Sequence, residues 1–234
     1  MKDKLLASGI AAGPLFLTVS LTQAITRDGF DLSRHPLSLL SLGDLGWVQI
    51  CNFVATGTLN AACAVGMRRA LRDRSGGSWG PALLAAFGVG LITAGIFVTD
   101  PGAGFPPGAP LGAPERMTWH AVLHEIGFLL SLLSWTGAIS VFTRTFLAAG
   151  NRRWAVACIS TVAAVLGIAL WPDFSSISVR LVLATALQMG FVAALAARIS
   201  RGLPGSVRSR RKAGRVARSQ LSVQYATGKP SWRD

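Results

Sequence analysis

The chain has 234 residues, of which 51% are hydrophobic and only 14% charged, whereas a soluble domain carries about 25% charged residues. That balance excludes an ordinary soluble domain and points to an integral membrane protein. The net charge of +13 invites a nucleic-acid reading, but no aromatic platforms accompany the basic residues. Their placement assigns the charge to membrane topology instead.

Stretches without a charged residue run from Leu5 to Thr26, Leu45 to Met67, Ser75 to Thr99, Ile126 to Thr143, Trp154 to Pro172 and Leu181 to Ala197. Each is near the ~20 residues a helix needs to cross a hydrocarbon core, the last by starting at about Val179. The expectation is an all-α, polytopic membrane protein: a six-transmembrane-helix bundle over residues 1–200 with two ordered outer loops. Of the 23 basic residues, 19 fall on one side of such a bundle, leaving Arg27, Arg34, Arg116 and Arg180 on the other. Basic residues are retained in the cytoplasm, so both termini are expected there, in the plasma membrane. Trp47, Trp79, Trp119, Trp154 and Trp171 fall at span ends, where amphipathic rings favour the interface. The first apolar run is longer than the roughly 7 to 15 residues of a signal-peptide core and is read as a span.

In the first span Gly13-Pro14 predicts a kink. The loop after it, residues 27–44, is too apolar to be free; Pro36 can start a short helix and Gly43 can end it, burying Leu37, Leu39, Leu40 and Leu42. In the second span Gln49, Asn52, Thr56, Asn60 and Cys63 follow helical spacing. Such a face points into the bundle, either to bond neighbouring helices or to line a polar cavity. Gly88, Gly90 and Gly95 in the third span allow close helix approach. The loop DPGAGFPPGAPLGAP is read as an ordered cap anchored by Phe105 and Leu111. The fourth span carries His120, His124, Gly127, Ser131 and Ser134 along one face, predicted to oppose the polar face of the second. Residues 201–234 form a basic tail, expected to be disordered, cytoplasmic and drawn to anionic lipid headgroups.

The chemistry-bearing residues cluster in Asp100 to Glu125 and in the first outer loop. His120 and His124 share a helix face, and His35 is the third of three histidines. Neutral imidazole is the commonest zinc ligand; this set could hold zinc, with Asp44, Asp100 or Glu125 as general base for a hydrolase acting on a lipid-like substrate. In the other reading these residues cap the bundle mouth over a polar pocket at the outer membrane face, and the protein binds or scaffolds rather than catalyses. Gln49, Asn52, Asn60 and Ser131 are then the pocket-lining candidates. A Ser-His-Asp set from Ser38 or Ser41, His35 and Asp44 lacks a G-x-S-x-G elbow. The odd cysteine count, Cys51, Cys63 and Cys158, indicates no disulfide framework.

The runs GFDLSRHPLSLLSLGDLGWVQICNF, GLITAGIFVTDPGAGFPPGAP and HAVLHE resemble a bacterial integral-membrane family catalogued as domain of unknown function 998. The resemblance covers Ile10 to Ser200 and leaves out the basic tail. That family is itself similar to the Frag/DRAM-type six-span membrane proteins. The resemblance implies a six-helix bundle and brings no activity, cofactor or catalytic residue with it.

Overall fold

The computed structural model describes residues 2–72, 77–112, 115–172 and 176–202. Six helices, α1 Lys2–Thr26, α2 Gly46–Ala70, α3 Trp79–Ile96, α4 Trp119–Ala148, α5 Arg152–Ala169 and α6 Ile177–Ser200, carry the fold. All six are long and apolar enough to cross a membrane. They belong to the compact unit Met1–Ser200. The basic tail falls outside the described residues from 203 onward.

Each helix packs antiparallel on the next in sequence, and α6 returns to pack on α1, so the six close into a ring. One end of the ring carries the loop 27–45 and the loop 97–118; the other carries Arg68, Arg69 and Arg72. We refer to these as the cap end and the arginine end. At the arginine end Met67, Leu84, Trp135, Phe142, Phe146 and Leu195 are fully buried and fill the ring.

Between apolar helices in lipid, association depends on close packing rather than on expelling water. α3 is built for this. A Cβ at Gly90 would stand 2.7 Å from the Gly127 carbonyl oxygen, and one at Gly127 would stand 2.7 Å from the Ala94 nitrogen. On its other side, Gly88 and Gly57 of α2 lie against each other's carbonyl oxygens. The expected close approach at the α3 glycines is therefore present, but α3 stands between α2 and α4. The polar faces of those two helices meet α1 and α3 respectively, not each other.

Helix ends depart from the charge-free runs where capping competes with hydropathy. α4 starts at Trp119, seven residues before Ile126, because Thr118 caps it by accepting from the Ala121 N–H at 3.3 Å. His120, His124 and Glu125 are thereby helical. α3 runs Trp79–Ile96 and α5 stops at Ala169, both inside the charge-free stretches. α1 continues through Pro14 without a break in its helical assignment. The predicted short helix after Pro36 is a 3-10 helix, Leu37–Ser41, with Leu37, Leu39 and Leu40 buried; Gly43 follows at φ +70°. In the second loop Phe105 is buried as an anchor, but Leu111 is 84% exposed and anchors nothing.

Candidate functional site

The two cap loops are joined by His35. It is fully buried, its Nδ1 accepts from the Asp31 N–H at 2.8 Å, and its Nε2 donates to the Ala103 carbonyl at 2.9 Å. The ring sits between Phe30 and Phe105, centroids 5.3 and 5.5 Å away. Both nitrogens are committed, which fixes the Nε2–H tautomer and ties residue 35 to residue 103. Arg27 adds a second tie. Its guanidinium donates to the carbonyls of Leu40 and Leu42 at 3.0 and 2.6 Å and lies over Phe105. Burial holds its pKa below the usual value, and the exposed Asp44 nearby opposes that shift.

Asp100 takes part in capping α4. Its two carboxylate oxygens accept from the Thr118 N–H at 2.7 Å and the Thr118 hydroxyl at 2.6 Å. Glu125 is exposed on the outside of α4, next to exposed Ile126. His120 is exposed, against Trp119 and Phe97. His124 is buried, and its Nδ1 lies 2.8 Å from the Ala94 carbonyl oxygen and 3.0 Å from that of Phe97. Each histidine thus has its own surroundings, and among the described residues no group of three His, Cys, Asp or Glu side chains could hold a metal ion.

Along α2 the polar face bonds mainly to α1. Gln49 Oε1 accepts from Gln23 Nε2 at 2.8 Å, Gln49 Nε2 donates to Ser20 at 3.0 Å, and Asn52 Nδ2 donates to the Phe16 carbonyl at 3.1 Å. Asn60 Nδ2 donates to the Thr56 carbonyl at 2.9 Å and approaches the Met189 sulfur. Of the four pocket candidates, Ser131 alone lines the partly open cavity among the helices.

That cavity, about 110 Å³, takes wall residues from all six helices and its roof from Pro36, Leu37 and Ser38. Phe16, Phe53, Phe87, Leu91, Phe128 and Met189 make it apolar, and among the described residues no Asp, Glu, Lys or Arg lines it. Its polar groups are His124 and Ser131 on α4, Thr185 and Gln188 on α6, and Ser38. On α4 it extends from His124 to Leu132, roughly 12 Å along the helix. Thr185, three residues before Gln188, was missed from sequence. Its signal was the i, i+3 spacing that places it on one face with Gln188.

A ring of six membrane-crossing helices around an uncharged cavity defines a multi-pass membrane protein with a partly open apolar pocket. The chain belongs to the family described as Protein of unknown function (DUF998), whose model matches residues 10–205. No curated protein and no solved structure matches it.

Proposed function

We propose that this protein is a binding protein of the plasma membrane that holds an uncharged, apolar or amphipathic small molecule inside the helix ring. The observation that carries this reading is the cavity to which every helix contributes, apolar and free of ionisable residues other than His124. Its volume of about 110 Å³ is close to that of the ~150 Å³ engineered apolar cavity that stays dry and takes up benzene. A ring or a short chain segment fits; a phosphate or a carboxylate head would be stranded without a counter-charge.

In this reading the arginine end is cytoplasmic and the cap end faces outward, as the distribution of basic residues requires. The tail beyond residue 202 follows on the cytoplasmic side, where its Lys and Arg are attracted to anionic headgroups. Ser33 and Ser78 are exposed at opposite ends. With Cys51 replaced by serine, cysteines placed at these two positions should be labelled from outside and inside respectively; the reverse pattern rejects the orientation. For binding, full-length protein in detergent should gain thermal stability from pentane-sized apolar probes. Leu181→Trp, which grows a side chain into the cavity, should abolish that gain, and an unchanged gain rejects this cavity as the binding site.

A further inference from the structure

We infer that the occupant is an alcohol, recognised by donating its hydroxyl hydrogen to Nε2 of His124, whose tautomer is dictated by the end of α3. This rests on the binding reading above and names the chemistry of the ligand.

α3 ends at Ile96, so its last carbonyls have no intrahelical donor. His124 reaches across from α4 and supplies one. Its Nδ1 lies within hydrogen-bond distance of both Ala94 O and Phe97 O, at 2.8 and 3.0 Å. Carbonyl oxygens only accept, so the hydrogen must be on Nδ1. The remaining ring nitrogen, Nε2, has no hydrogen-bond partner among the described residues. The side chain is 5% exposed and lines the cavity, edge-on to Phe53. An imidazolium here would face a cavity wall without a carboxylate, an unbalanced charge in apolar surroundings. A neutral ring with Nδ1–H presents Nε2 purely as an acceptor. At His124 the structure therefore selects a donor: an alcohol has a hydrogen to give Nε2, whereas an ether, a ketone or an ester has none.

The facing wall can serve the other side of the same hydroxyl. Thr136, Thr143 and Thr161 donate to the carbonyl four residues back, the usual outlet for a helical threonine. Thr185 makes no such bond, and the Gln188 amide has no partner among the described residues, although both line the cavity. A hydroxyl that donates to His124 keeps acceptor capacity for the Gln188 amide or the Thr185 hydroxyl.

The test uses full-length protein in detergent, labelled with ¹⁵N-histidine, titrated with butan-1-ol, its methyl ether and pentane. The three histidines give few resonances, and those lost in His124→Phe are assigned to residue 124. Butanol is expected to bind about five- to tenfold tighter than the ether, the worth of one hydrogen bond, and to move the Nε2 resonance of His124 in the direction of an accepted hydrogen bond. His124→Asn keeps a donor for the α3 carbonyls but lacks Nε2; it should bind the three probes alike. This keeps the test valid if His124→Phe does not fold, because the His124 resonances are then the ones lost in His124→Asn. Equal binding of alcohol and ether to the wild type, with His124 unmoved, overturns the alcohol inference and leaves the binding reading standing. No binding of any of the three probes overturns both.

Discussion

The ring has a tight half and a loose half, and identical residues behave differently in the two. In α2, α3 and α4 the helical glycines Gly57, Gly88, Gly90 and Gly127 each sit against a neighbour's backbone, whereas a Cβ at Gly167 of α5 or Gly190 of α6 would meet nothing within 4 Å. Polar side chains divide the same way. The amide nitrogens of Gln23, Gln49 and Asn52 bond across the α1–α2 contact, while Thr185 and Gln188 on α6 line the cavity without such bonds. A glycine or an amide in a membrane helix is thus glue or working surface according to the helix opposite it.

The largest expected effect breaks the glycine contrast. Gly90→Val forces α3 and α4 apart, and overpacking of this kind costs 1–3 kcal/mol or more, with loss of the monodisperse bundle on size-exclusion chromatography. Gly190→Ala should instead raise stability by roughly 0.5–1 kcal/mol, because a helical glycine without a packing role only adds unfolded-state entropy. A similar loss in both variants would erase the distinction between the halves.

Next is the amide contrast. Gln49→Leu leaves the Gln23 and Ser20 groups without their buried partner and should cost about 1–3 kcal/mol in thermal unfolding. Gln188→Leu should leave stability near wild type while weakening alcohol binding. At the cap, His35→Ala removes the bond within the first loop and the single bond to the second and should cost a similar 1–3 kcal/mol; His35→Gln, which can still donate to Ala103, should recover part of it. Zinc should leave the melting temperature of wild type and His120→Ala alike unchanged. A zinc-dependent rise that His120→Ala removes would put a metal at the cap.

The smallest effect belongs to Asp31, whose pKa is lowered by the hydrogen bonds from the Ser33 hydroxyl and N–H, helped by Arg34. A lowered carboxylate pKa stabilises the fold above the usual aspartate range and loses that contribution as pH falls through the lowered value. Melting temperature against pH should therefore show a small acid-side decline that Ser33→Ala reduces.

Span number and the buried cap helix were legible because apolar length and the Pro36 and Gly43 punctuation are local properties. The start of α4 was hidden because a helix begins where its N–H groups are capped, and the Asp100–Thr118 pair spans 18 residues of loop. The histidines were legible as a cluster in sequence but not as partners in space. His35 belongs to Ala103 and His124 to Ala94, and main-chain carbonyls leave no trace in the side-chain pattern. Gln49 and Gln188 carry the same side chain, so only the opposing helix separates the bonded one from the one on the cavity wall.

The closure of the ring also sets an order of assembly. Gly13 of α1 lies against Met189 of α6, whereas Gly9 lies against Cys63 of α2, so α1 finds its second neighbour only when α6 is made. Until α6 leaves the ribosome and inserts, the face of α1 that carries Gly13 has lipid in place of its partner, and the cavity lacks one wall. A nascent chain stalled before residue 177 would be inserted but open, with α1 accessible to membrane quality-control proteases, and release of the final 24-residue helix would be the step that makes the protein resistant.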